Sequence, residues 1–366
     1  MINVTKSYLP EREKLFSYID QIYASCQLTN NGLLSQALET RLAKHLGVRN
    51  LILVANGTLA LQVLYKAMDV RGSAITTPFS FPATTSSLVW ESIQPIFADI
   101  DCRSWNMNPE KIANLIKPDT SAIVATHVFG NPCKVEAIQE IAKQYNLKII
   151  YDAAHAFGVK YKDESLLNWG DACTLSFHAT KLFHTVEGGA IVTNDDALAE
   201  KVRLMINFGI AGPGKISELG INAKLNEFQA AVGLCVLDDI DAIHQGRRNV
   251  WLGYYEALKN VVAFQERSEF STNNYGYCPI LFKNENLMKA VQKKLNAKSI
   301  FPRRYFYPSL DELPYIKSEN CAVVSRDVAS RILCLPLYPE LKLDLINEIC
   351  QTILNEHVKA TSTAIG

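Results

Sequence analysis

"NLILVANGTLALQVLYKAM" (residues 50–68) decides the fold. "NLILVA" reads as a strand buried on both faces, and past the Asn-Gly-Thr turn the chain switches to "GTLALQVLYKAM", whose apolar spacing is helical. The exchange then repeats: "AITT" and "ATTSSLVWES", "QPIFADI" and "PEKIANLI", "SAIVATHV" and "KVEAIQEIAKQY", and last the strand "LKIIYDAA". Short continuous apolar strands alternating with helices predict an α/β fold whose mainly parallel sheet is covered on both faces.

Upstream, "LLSQALETRLAKHL" sets Leu34, Leu38, Leu42 and Leu46 four apart and ends at Gly47, the pattern of an amphipathic helix with a glycine stop. Residues 1–30 are expected to form an N-terminal arm. Downstream, "CTLSF" and "GGAIVTN" read as strands joined by a loop without a long helix. "ALAEKVRLMINFG" then reads as helical, as does a run from "AKLNEFQ" to "YYEAL" long enough to connect two domains. The last hundred or so residues read as strand, helix, strand, helix ("YGYCPILF", "ENLMKAVQKKL", "RILCLPLY", "LDLINEICQTIL"). The expected organisation is a large domain over 31–245 and a smaller C-terminal α/β domain over 246–366, with "KATSTAIG" a frayed tail.

Lys plus Arg and Asp plus Glu both total 37 in 366 residues, so the formal charge is zero and argues against nucleic acid or an acidic membrane as a partner. The nine cysteines are odd in number and never spaced C-x-x-C, which argues against a disulfide framework and against a zinc site; no metal is expected. The N-terminus lacks a signal-peptide core, and no apolar run approaches the roughly 18 residues of a membrane span, so a cytoplasmic protein is expected.

Ligands of open α/β sheets bind past the carboxyl ends of the strands. Collected there are Asn56-Gly57-Thr58 after "LILVA", Asp152 and His155 after "IIY", and Ser176 and Lys181 after "TL". Each has a structural reading of its own: a helix cap, an interior ion pair or cap, a core histidine, an exposed loop lysine. Each also has a chemical one. A helix N-terminus with a hydroxyl binds phosphate, a buried carboxylate seeks a cationic or N–H partner, and a lysine drawn into an apolar site loses its charge and becomes a nucleophile. Together they match three handles of pyridoxal 5'-phosphate (PLP): phosphate, pyridine nitrogen and aldehyde. His184 and Glu187 beside the lysine read as loop packing, and His127 as a structural hydrogen bond.

These motifs, with "NNG" at Asn30, "TTPFSFPATTSSLVW", "HVFGNPC", "IYDAAHAFG", "SFHATK", "EGGAIVTND", "GINAKLNEFQAA" and "RRYFYP", make the sequence resemble the DegT/StrS nucleotide-sugar aminotransferases, of the aspartate-aminotransferase-like PLP fold type I. The resemblance implies Lys181, Asp152 and His155 as catalytic residues: Lys181 the Schiff-base lysine and proton carrier, Asp152 on the pyridine nitrogen, His155 beside the phenolic oxygen. It implies Gly57, Thr58 and Ser176 at the phosphate, Phe81 on the ring face, and Asn222 reaching the phosphate of a neighbouring subunit, hence a homodimer with a shared site. Asn30, Asn31, Arg303, Tyr305 and Tyr307 are candidates for contact with the substrate, "RRYFYP" being readable also as a packed hinge. Relatives that dehydrate the sugar carry histidine at the lysine position, so lysine implies transamination, with L-glutamate as donor. The "SFHATKLFHTVEGGA", "HVFGNPC" and "RRYFYPSL" stretches look most like members that convert dTDP-4-dehydro-6-deoxyglucose to dTDP-4-amino-4,6-dideoxyglucose for glycan or natural-product sugars. Another nucleotide-linked keto-sugar, or a non-catalytic sensor on the same fold, remain the alternatives.

Overall fold

A computed structural model describes residues 1–317 and 321–362. The alternation builds one seven-stranded sheet from β1 (Asn50–Val54), β2 (Ser73–Thr76), β3 (Gln94–Phe97), β4 (Thr120–Thr126), β5 (Lys148–Asp152), β6 (Ala172–Ser176) and β7 (Gly189–Thr193), in the order β1-β7-β6-β5-β4-β2-β3. Neighbours run parallel except at β7, which is antiparallel to both β1 and β6. Successive side chains point to opposite faces, so Leu51 and Leu53 enter one core and Ile52 and Val54 the other; Ile123 and Ala125 part in the same way from Ala122 and Val124. The helices α1 (Arg12–Ser25), α2 (Leu33–Leu46), α3 (Gly57–Ala67), α4 (Pro82–Trp90), α5 (Val135–Tyr145), α6 (Asp196–Met205) and α7 (Glu227–Asp238) follow in chain order, α2, α5 and α7 covering the first face and α3, α4 and α6 the second. Leu38 of α2 is fully buried against that first face, and truncation to alanine there would cost about 2–5 kcal/mol.

Helix α8 (Ile240–Leu258) begins in the large core with Ile240 and Ile243 and ends in another with Val250, Tyr254 and Leu258. That second core gathers an antiparallel sheet of β8 (Ala263–Phe264), β9 (Pro279–Leu281) and β10 (Ile332–Cys334) with α9 (Glu285–Ala297) and α11 (Leu343–Ser362). Helix α10 (Val323–Arg331) packs instead into an aromatic cluster with Phe79, Trp105, Phe129 and Phe306, where the two parts of the chain meet.

The structure departs from the sequence expectations in four places. The long helix is broken: Asp239 leaves helical geometry (φ −101°, ψ 5°) between α7 and α8, and its carboxylate takes hydrogen bonds from Tyr8 and Lys14 at 3.0 and 3.1 Å. Within residues 1–30, expected as an N-terminal arm or extension, stands a helix that was not expected: α1 packs on α7, and Ile2–Asn3 pairs in parallel with Ile300–Phe301. "PEKIANLI" forms two short 3-10 turns, Pro109–Lys111 and Ala113–Leu115, confined between Pro109 and Pro118. Of the expected tail, residues 359–362 continue α11, and 363–366 lie outside the described residues. All nine cysteines are free thiols. Among the described residues no helix is long and apolar enough to cross a membrane.

Candidate active site

The carboxyl ends of β1, β5 and β6 open into a cavity of about 360 Å³. Lining it are Gly57, Thr58, Phe81, Asp152, His155, Ser176, Lys181, Arg303 and Tyr305 from among the residues singled out above. Its start is the first turn of α3, where the Asn56 side chain accepts the Leu59 N–H at 2.9 Å and leaves the amides of Gly57 and Thr58 without a partner of that kind. Gly57 is needed for closeness: a Cβ there would stand 3.1 Å from the Ser176 Cβ. Gly189 on the antiparallel strand has the same duty, since its Cβ would lie 2.7 Å from the Leu175 carbonyl.

Asp152 ends β5 and is buried. One carboxylate oxygen accepts the Thr84 hydroxyl at 2.6 Å and the other the Ala154 N–H at 3.1 Å. Thr84 in turn meets Ser80 at 2.8 Å, and Thr126 donates to Ser80 at 3.0 Å, so a chain of buried hydroxyls backs the acid. Burial raises the Asp152 pKa, while Thr84, Ala154 and the Lys181 charge pull it down.

His155 packs nearly parallel to two rings that also stack on each other, 6.1 Å from Phe129 and 5.5 Å from Phe306. Its Nδ1 accepts the Phe129 N–H at 3.3 Å, which leaves the proton of a neutral imidazole on Nε2. Burial, then the nearby Lys181, hold its pKa well below the usual histidine value.

Lys181 follows β6 in a tight loop: its N–H donates to His178 O at 2.8 Å, and Ala179 N–H to Val186 O at 2.7 Å. The ammonium donates to the Tyr277 hydroxyl at 2.9 Å. Burial brings the lysine pKa down to about 8, an effect that Asp152 partly opposes, so a substantial share of amine is neutral and nucleophilic near neutral pH.

Four of the candidate residues stand elsewhere. Asn222 is exposed on the segment that pairs with Asn207, and Asn30 and Asn31, both with positive φ (64° and 58°), border a second cavity of about 210 Å³ with Asn207 and Lys224. Tyr307 is 52% exposed, with the Arg304 guanidinium 3.5 Å over its ring. His184 packs the loop by a 2.8 Å hydrogen bond to Tyr8 O, and His127 accepts the Cys133 N–H at 3.1 Å deep in the core. Glu187 does more than pack: it lines the cavity, 3.6 Å from His178. Sequence reading missed Tyr277, His178 and Thr84; of these His178, inside "SFHATK", and Thr84, inside "TTPFSFPATTSSLVW", carried a local signal, and Tyr277 carried none.

The residues fit PLP. The glycine-lined helix end and two hydroxyls, Thr58 and Ser176, suit a phosphate, and the buried Asp152 carboxylate suits a protonated ring nitrogen. Among the described residues no group of three or more His, Cys, Asp or Glu side chains could hold a metal ion.

A solved structure of DesI in the presence of its TDP-sugar product matches 99% of this chain and 95% of that one, with a TM-score of 0.93 and 31% identity. Fold and site together define the aspartate-aminotransferase-like, PLP fold type I class. Residues 10–354 match the DegT/DnrJ/EryC1/StrS aminotransferase family, and the chain belongs to that family: it is a transaminase. The dTDP-4-amino-4,6-dideoxy-D-glucose transaminase of Shigella dysenteriae is 42% identical over 359 residues, 96% of this chain and 98% of that protein. The Escherichia coli protein of the same name is 35% identical over 365 residues, 97% and 98% of the two chains. Membership of the family implies PLP as the cofactor.

Proposed function

We propose that the protein transfers an amino group from L-glutamate to the C4 ketone of dTDP-4-dehydro-6-deoxy-D-glucose, giving dTDP-4-amino-4,6-dideoxyglucose. The observation that carries transamination is the meeting of Lys181, Asp152, His155 and the Gly57-Thr58 helix end on one cavity. The sugar rests on the 42% and 35% identity to transaminases named for that product.

PLP, when bound, supplies an aldehyde that carries nitrogen and a ring that withdraws electrons from the reacting carbon. Gly57, Thr58 and Ser176 would hold its phosphate, Phe81 its ring face, Asp152 its nitrogen and His155 the side of its phenolic oxygen. The low pKa of Lys181 lets its amine accept a proton at the substrate carbon and return it, since its neutral and charged forms are both populated near pH 8. Asp152, backed by Thr84, keeps its charge directed at the ring, and the aromatic stack around His155 excludes water from that side. Arg303, on the rim, offers a planar cation to a diphosphate, with its guanidinium 4.9 Å from the Tyr305 ring centroid.

A homodimer with a shared site completes the reading. Asn222 stands off its own cavity amid exposed apolar side chains: Phe208, Ile216, Leu219 and Ile221 are 50, 74, 74 and 43% exposed. Such a patch is suited to burial against a second copy, which would bring Asn222 to the neighbouring phosphate.

The test is incubation of the PLP-loaded protein with L-glutamate and dTDP-4-dehydro-6-deoxy-D-glucose, with the product identified by NMR. A 4-amino sugar with the gluco configuration supports the proposal; amination elsewhere, or only with another keto-sugar or donor, refutes it.

A further inference from the structure

The chain between α8 and β9 crosses back onto the large sheet in a short strap, residues 273–277. Asn274 is buried, and its amide donates to the carbonyls of His155 and Phe157 at 2.8 and 3.0 Å, joining the strap to the loop that follows Asp152. Its Oδ1 accepts the Gly276 N–H at 3.1 Å, and a Cβ on Gly276 would come within 3.2 Å of that oxygen. From the other side, Arg247 of α8, 3% exposed, donates to the carbonyls of Tyr275 and Gly276 at 3.0 and 2.8 Å. A buried guanidinium spent on two backbone carbonyls fixes the direction in which the next residue leaves, because its fork is planar and rigid.

That next residue is Tyr277. Its ring stands edge-on to His155 at 4.9 Å (68°) and to Tyr305 at 5.9 Å (87°), and its hydroxyl takes the 2.9 Å hydrogen bond from Lys181. We infer that Tyr277 is a positioning residue, which holds the amine of Lys181 in the cavity whenever that amine is free, and that the strap anchored by Asn274 and Arg247 delivers it. A lysine has four rotatable carbons, and an amine released from its cofactor would otherwise sample many rotamers; a fixed acceptor limits it to one reach. Asp152 and Tyr305 also influence this amine, but its Nζ donates its hydrogen bond to Tyr277. The inference rests on Lys181 as the cofactor lysine, but not on any sugar or donor.

The experiment uses cofactor-free protein, so failure of the substrate assignment leaves it untouched. Amines are labelled competitively with acetic anhydride over about pH 6 to pH 10, and the Lys181 peptide is quantified by mass spectrometry to give its titration midpoint. Tyr277→Phe keeps the ring contacts and removes the acceptor that favours the ammonium form. Its midpoint should fall by roughly half a unit to one unit from the wild-type value, with melting little changed. Asn274→Ala should move the midpoint the same way, and the double variant no further than Tyr277→Phe alone. An unchanged or higher midpoint in Tyr277→Phe would show that the hydroxyl does not hold the amine; additive shifts in the double variant would show that the strap does not deliver it.

Discussion

Asp152→Asn should drive two observables in opposite directions. In the native protein Lys181 has a pKa of about 8, so at pH 7.5 roughly a quarter of the amine is neutral, against about one part in a thousand for an ordinary lysine. The Asp152 charge raises that pKa by favouring the ammonium form, so neutralising it must lower the pKa further, by roughly half a unit to one unit. The neutral fraction at pH 7.5 then rises to about a half to three quarters, and acetic anhydride should label Lys181 in cofactor-free protein about two to three times faster. Turnover with L-glutamate and the keto-sugar should nevertheless fall at least about 100-fold, a loss of about 2.7 kcal/mol of transition-state stabilisation, because an amide cannot hold a protonated ring nitrogen. A packing fault would depress both readouts. Unchanged turnover, or slower labelling with intact fold, would refute the placement of Asp152 opposite the cofactor nitrogen and beside the lysine.

Lys181→Met should abolish turnover and yet stabilise the cofactor-free protein. The folded pKa of about 8 lies below the unfolded value, so the cost of holding the ammonium in the cavity is full below pH 8 and disappears toward pH 10.5; the gain, about 2 kcal/mol after allowing for partial exposure, should follow that window in urea melts. Asn222→Ala and Lys181→Ala should each be inactive or weak alone, and mixed subunits should regain up to about a quarter of wild-type activity if the site is shared; no recovery after verified exchange would argue for self-contained sites. Arg303→Ala should raise KM for the nucleotide sugar about tenfold or more with kcat within about twofold, measured in steady state; an unchanged KM would remove Arg303 from substrate binding.

How much of this was legible in the sequence follows from the range of the forces involved. Strands β1 to β7 and the ends that carry Gly57, Asp152 and Lys181 are encoded locally, since a strand buried on both faces must be a continuous apolar run and the first polar residue after it is bound to reach the sheet edge. Helix α1 has a weaker local trace, Leu15, Ile19 and Ile22 at helical spacing, and of these only Ile22 is buried. The break at Asp239 is tertiary: an Asp-Asp pair in a helical run becomes a corner once Lys14, Tyr8 and Arg41 from elsewhere bind the two carboxylates.

Tyr277 illustrates the limit most clearly, because nothing within "YGYCPILF" distinguishes its second tyrosine from any strand residue. Its role exists only where α8, the strap and the lysine loop meet, through contacts from Arg247, Asn274 and Lys181 that lie 30, 3 and 96 positions away. The same division runs through the cavity. Asp152, His155, Ser176 and Lys181 are fixed to the ends of a rigid sheet, whereas Tyr277, Arg303, Tyr305 and Phe306 are brought against them by the chain after α8. The proposed chemistry places its closest geometry on the first set, where small displacements are resisted on both faces by packed helices. The outer wall belongs to the second set, of which Tyr277 alone is hydrogen-bonded to the lysine amine. That separation is why transamination is carried by the motifs at the sheet ends, while the proposed sugar rests on the look of three motif stretches together with likeness to relatives along nearly the whole chain.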